Sequence, residues 1–144
     1  MLIQAGGFSP PADSALNSTE KIKIESEQKI ENRIKIYREA SERIQKNIAD
    51  GVSKDDYQTV PVDLKLWASL LSESMKDIQE NLKTKNKSKN LIRYEIQLRK
   101  AISNSQNYKI KAPMELHDVF DTCLGQAEKI RQRFVDILFK TNKD

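Results

Sequence analysis

The sequence predicts an all-α protein, an up-down-up-down four-helix bundle with an extended amino-terminal arm, and three observations carry that expectation. The 144-residue chain holds four glycines and four prolines, and three of each fall before residue 62, so the remainder is nearly free of helix breakers. Apolar residues recur at alternating steps of three and four, the spacing of one helix face. A content of 38% hydrophobic and 32% charged residues suits one domain whose helices each bury one face.

Residues 1–17 carry a single charge and no period, and Pro10-Pro11 locks an extended conformation. They form the expected arm, with Phe8, Pro10, Pro11 and Leu16 as candidate contacts to a partner or to the domain itself, which spans 18–144. The first helix starts near Asn17, where Glu20 three residues later completes a capping box, and is expected to reach Gly51 as its C′ residue. Ile30, Ile34, Tyr37, Ser41, Ile44 and Ile48 form its stripe, whereas Ile22 and Ile24 fall off it.

The second helix opens around Pro61, tolerated in a first turn, with Asp63 near the positive end of the dipole. Leu64, Trp67, Leu71, Met75, Ile78 and Leu82 form its apolar face. A polar linker over 83–90 leads to a short third helix carrying Leu91, Ile92, Ile96, Leu98 and Ile102, followed by a loop from Ser103 to Ala112. After Pro113, Leu116, Phe120, Cys123, Ala127, Ile130, Phe134 and Ile137 repeat four-three without a break. Each fully buried large apolar side chain contributes roughly 1.5–3 kcal/mol, so four such stripes converge rather than stay in water. Short connections favour the bundle. The rival is a coiled-coil dimer built on the first and fourth helices.

Charge is uneven. Residues 83–111 hold nine basic groups, Lys83, Lys85, Lys87, Lys89, Arg93, Arg99, Lys100, Lys109 and Lys111, against the single acid Glu95. This local +8 leaves −4 for the rest of a chain whose net charge is +4. It reads either as a solvated face or as a patch that steers the protein onto an acidic surface, with Lys83, Lys85, Lys87, Lys89, Arg93, Lys109 and Lys111 as the contacts.

Catalytic chemistry finds little footing. His117 is the only histidine, and Cys123, six residues on, stands on a different helical turn. Di-iron bundles need Glu-x-x-His, but Met114 precedes His117 by three. Gly6-Gly7 is not a phosphate loop, and Gly125 inside a helix suits close packing. Neither an enzyme nor a metal or cofactor site is expected. Cys123 and Trp67 read as core residues. No apolar stretch approaches the roughly 20 residues that cross a bilayer, and the amino terminus lacks a signal-peptide pattern. The expectation is a soluble protein, cytoplasmic or stripped of a targeting peptide.

The run Val60, Pro61, Val62, Asp63, Leu64, Lys65, Leu66, Trp67, Ala68, Ser69, Leu70, Leu71 resembles the signature of the PsbQ family, extrinsic subunits on the lumenal side of photosystem II. The family's plastid members carry Val-x-x-Asp-Leu-Arg-x-x-Ala-Ser-x-Leu at the start of their second helix, matched here at Val60, Asp63, Leu64, Lys65, Ala68, Ser69 and Leu71. Tyr37 to Ile48 resembles the family's first bundle helix, and the lysine-rich connector and later helices follow at similar spacing over about residues 35–140. Tyr57, Cys123 and Leu124 differ from the green-plant pattern and no lipid-acceptor cysteine stands near the amino terminus, so the likeness is to an algal plastid form.

The resemblance implies a non-catalytic subunit peripheral to the thylakoid membrane in the plastid lumen. Its partners would be the lumenal domains of the photosystem II core and other extrinsic subunits, and its role would be to stabilise the oxygen-evolving complex and help retain calcium and chloride. The alternative is a small basic helical protein binding nucleic acid through residues 83–111, with Lys85, Lys87, Lys89, Arg93, Arg99 and Lys100 on phosphates and Tyr94 and Tyr108 for stacking.

Overall fold

The computed structural model describes residues 15–83 and 88–139, and within them the chain is helical with no strand. Helix α1 (Ser18–Ser26) begins with the expected box: Glu20 N–H donates to Asn17 Oδ1 at 2.8 Å, and Asn17 N–H donates to Glu20 Oε1 at 2.9 Å. The expected single first helix is broken. The chain turns extended at Glu27 and re-enters helix after Lys29 as α2 (Ile30–Ser53). The cause lies in the off-stripe isoleucines, because α1 buries none of its residues and Ile22 stays exposed. Arg33 Nη1 donates to the Glu27 and Gln28 carbonyls at 2.9 and 3.1 Å, serving acceptors at the break. Arg43 binds Glu20 at 2.8 Å and the Ala15 carbonyl at 2.8 Å, which folds α1 back along α2.

Gly51 is not the C′ residue. It lies in the last turn of α2, where an added Cβ would stand 2.8 Å from Val60 Cγ2, so the glycine permits close approach of the next helix. The left-handed residue of that turn is Asp55, with φ of 56°. Helix α3 (Val60–Asn81) carries proline in its first turn as expected and buries Leu64, Trp67, Leu71, Met75 and Ile78.

The third bundle helix corrects the sequence reading most. Helix α4 runs Lys89–Lys111, 23 residues, and no loop opens at Ser103. Its buried stripe is Leu91, Tyr94, Leu98, Ala101, Ile102 and Ser105, partly aromatic and small polar, while Ile92 and Ile96 are exposed. After a 3-10 turn at Met114–Leu116, helix α5 (His117–Phe139) buries Phe120, Cys123, Ala127, Ile130 and Phe134 as its pattern foretold, with Leu138 rather than Ile137 closing the stripe. Gly125 does not pack closely: a Cβ there would meet nothing within 4 Å, and nothing in the structure explains the glycine.

The four long helices close on one another within one chain. Neighbours around the bundle are α2 with α3, α3 with α5, α5 with α4, and α4 with α2. Helix directions alternate as expected, but α3 and α4 lie on a diagonal. Across the core the buried Tyr94 hydroxyl meets Ser74 Oγ at 2.8 Å, and the Tyr94 ring packs on Phe134 with centroids 4.9 Å apart. Trp67 Nε1 donates to Ser41 Oγ at 3.0 Å, joining α3 to α2.

Asp77 gathers the polar tie between these two helices. It accepts from Arg33 Nε and Nη2 at 2.8 and 2.9 Å, from the Tyr37 hydroxyl at 2.6 Å and from Asn81 at 2.7 Å. Burial alone would raise the Asp77 carboxyl, but the hydrogen bonds from Arg33, Tyr37 and Asn81 outweigh it and hold it below its ordinary 3.8. A depressed carboxyl stabilises fully above its unfolded value and loses that contribution as pH falls through the folded one. Thermal melts should therefore lose stability below about pH 4, in line with the ordinary carboxylate range. Asp77→Ala should cost about 3 kcal/mol at neutral pH and flatten that acid limb, by stranding Arg33 and Tyr37.

Candidate docking surface

The bundle has two ends. At one, the start of α4 meets the start of α2: Ser88 caps α4 by accepting from Leu91 N–H at 3.1 Å and donates to Glu31 Oε1 at 2.8 Å. Asn90 Nδ2 also reaches Glu31 at 3.4 Å, so this acid is engaged by neutral donors. Lys83, Lys89 and Arg93 are exposed here and make no ion pair among the described residues.

The remaining cations of the 83–111 cluster are elsewhere or neutralised. Helix α4 rises about 1.5 Å per residue, so Lys109 and Lys111 stand about 30 Å from Lys89, at the opposite end. Lys109 donates to Asp121 at 2.6 Å. Arg99 and Arg131 both bind the buried carboxylate of Glu95, at 2.8 and 3.2 Å. Lys85 and Lys87 lie outside the described residues, as do Phe8, Pro10 and Pro11 of the arm. Leu16 is half-buried and packs against the core beside the buried Ala15.

Topology adds residues that sequence clustering missed. The α2–α4 contact brings exposed Lys29 to the same end as Lys89, although 60 positions separate them. The antiparallel pairs Glu95–Arg131 and Lys109–Asp121 set a register that places Phe139, 74% exposed, level with the first turn of α4. Ile92 and Ile96 continue this apolar exposure one and two turns along α4. Their four-residue spacing was the available signal, since it leaves them off the stripe through Leu91 and Leu98. Exposed cations and exposed apolar side chains thus share this end, while Ile110, Met114 and Val62 are exposed at the other.

The signature residues serve packing. Val60, Leu64, Ala68 and Leu71 lie on the buried face of α3, while Lys65 is exposed and Ser69 half-buried. Burial pushes the Asp63 carboxyl up, and Arg43 opposes it. Cys123 is buried with its thiol 3.5 Å from the Leu64 carbonyl, and burial pushes its pKa up. His117 begins α5 with Nε2 3.2 Å from the Ala112 carbonyl. Among the described residues no group of three His, Cys, Asp or Glu stands close enough to hold a metal ion, and no helix is long and apolar enough to cross a membrane. Tyr94 is fully buried, which removes it from any nucleic-acid stacking surface, and Tyr108 is half-buried.

No family model, no curated protein and no solved structure matches the chain.

Neutralising Lys83, Lys89 and Arg93 to Gln should lower the salt needed to elute the protein from a cation exchanger. The loss should exceed that of the charge-matched set Lys54, Lys109 and Lys111 at the far end. Each substitution should move stability by no more than about 0.5 kcal/mol, since none removes a buried contact. Equal elution of the two triple variants contradicts a concentrated surface.

Proposed function

We propose that this protein is a non-catalytic, PsbQ-like extrinsic subunit of photosystem II, docking on the lumenal side of the thylakoid membrane through the end of the bundle that carries Lys83, Lys89 and Arg93. The observation that carries the reading is that Lys83, Lys89 and Arg93, which make no ion pair among the described residues, share that end with exposed Ile92, Ile96 and Phe139. Cations steer the protein onto an acidic partner and the apolar groups supply contact area once it arrives. The resemblance of residues 60–71 supplies the identity of the partner, and the four-helix bundle agrees with the fold that resemblance implies. Its contribution is structural: stabilising the oxygen-evolving complex and helping to retain calcium and chloride, with partners among the photosystem II core and the other extrinsic subunits.

Nucleic acid is the weaker reading, because Arg99 is bound to Glu95 and Tyr94 is in the core.

Reconstitution tests the proposal. Added to salt-washed photosystem II membranes, the protein should cosediment in a salt-sensitive manner and restore oxygen evolution at low calcium and chloride. The Lys83, Lys89 and Arg93 triple variant should bind at least ten-fold more weakly. Failure of the wild type to bind overturns the proposal.

A further inference from the structure

Gly125 stands exposed in the middle of α5, where an added Cβ would meet nothing within 4 Å. A glycine inside a helix costs stability against alanine, so one that no neighbour in its own chain requires points to an approach from outside. Contacts fix what surrounds it. Glu128 lines a groove of about 240 Å³ between α4 and α5 with Ser103 and Gln106, and Asp121 accepts from the Lys109 ammonium at 2.6 Å. Asp118, Asp121, Gly125, Glu128, Asp136 and Phe139 share this face of α5 by helical spacing. On α4, Ile92, Ile96, Ser103 and Ile110 do the same at steps of four and seven. Four of the seven exposed large apolar side chains among the described residues, Ile92, Ile96, Ile110 and Phe139, thus fall on one face of the bundle.

Its charges complement each other. The α4 edge carries exposed Arg93, Lys100 and Lys111 and no exposed acid, while the α5 edge carries exposed Asp118 and Asp136 with Lys129 between them. Arg93, Lys111, Asp118 and Asp136 make no ion pair among the described residues. The register set by Glu95–Arg131 and Lys109–Asp121 puts Arg93 level with Asp136, Ser103 with Gly125, and Lys111 with Asp118. A two-fold rotation about an axis parallel to the bundle keeps every level and lays α4 of one copy over α5 of the other. Cation then meets acid near both ends, the small Ser103 and Gly125 meet at the centre, and Lys100 with Lys129 is the one like-charged pair. From Ile92 to Ile110 the face is about 27 Å long, and two helices make it about 20 Å wide. Two such faces bury about 1,000 Å², the lower bound of a specific interface, which fits a weak dimer.

We propose that the α4–α5 face joins two copies of this chain in a two-fold dimer, with Gly125 of one copy seated against Ser103 of the other. Arg93 of each copy pairs with Asp136 of the other, Lys111 pairs with Asp118, and Ile92 packs on Phe139. Ile92, Ile96 and Phe139 also belong to the cationic end, so the dimer is a state of the free protein and does not depend on the identity of any partner there.

Sedimentation equilibrium of the full chain at low and high salt tests it. The wild type should dimerise in the micromolar range at low salt and dissociate as salt rises. Gly125→Gln should weaken dimerisation at least ten-fold while leaving the melting temperature in dilute solution equal or higher, because its side chain enters open space in the single chain. Arg93→Asp should weaken it at least five-fold, and Arg93→Asp with Asp136→Arg should restore it. Within one chain these two positions lie on opposite edges of the face, so restoration reports contact between copies. A monomer at millimolar concentration in low salt, or full dimerisation by Gly125→Gln, overturns the proposal. A dimer that the double exchange fails to restore, or growth beyond a dimer, overturns the two-fold arrangement.

Discussion

The Tyr94 hydroxyl is buried where no water can serve it, and its one hydrogen-bond partner, Ser74 Oγ, stands on the helix diagonally across the core. An unmet phenol in that position would cost about 1–3 kcal/mol, a large share of the stability of a domain this size. The bond holds α3 and α4, sequence neighbours, on opposite corners, so that α4 packs beside α2 and α5 instead. Desolvation raises the Tyr94 pKa, with the Ser74 bond opposing it, and the hydroxyl stays neutral at any ordinary pH. Trp67 and Ser41 make the equivalent tie between α3 and α2, and the Tyr94 ring on Phe134 secures α5.

The surface follows from that arrangement. Because α4 starts beside the start of α2, Glu31 is hydrogen-bonded by Ser88 and Asn90, and Lys89 makes no ion pair among the described residues. The length of α4 itself separates Lys109 and Lys111 from Lys89. What reads as one block of positive charge along the chain is spread by folding along α4, with Arg99 paired to Glu95 and Lys109 to Asp121. The cations left facing outward at the start of α4 lie beside the exposed Ile92, Ile96 and Phe139.

Periodicity revealed most of this where large apolar residues dominate the buried face. The α3 and α5 stripes, the Asn17 cap, and the core positions of Trp67 and Cys123 were all legible, because each depends on local spacing. Helix α4 was not, since its buried stripe runs through Tyr94 and Ser105, whose hydroxyls are satisfied by residues 20 and 60 positions away. The break after Ser26 was signalled by Ile22 and Ile24 leaving the stripe, but its stabilisation by Arg33 is a tertiary matter. Of the candidate site, Lys83, Lys89 and Arg93 were visible as charge, whereas Lys29 and Phe139 join them only through the neighbour order of the helices.

That order is the central claim, and cross-linking tests it most directly. In a Cys123→Ser background, Glu42→Cys with Lys100→Cys places one thiol on each wall of the α2–α4 groove. A short bifunctional thiol reagent should join this pair within one chain and leave Ser69→Cys with Lys100→Cys, on the diagonal helices, unjoined. Cross-linking of the Ser69 pair without the Glu42 pair would place α3 beside α4 and contradict both the bundle described and the surfaces it creates.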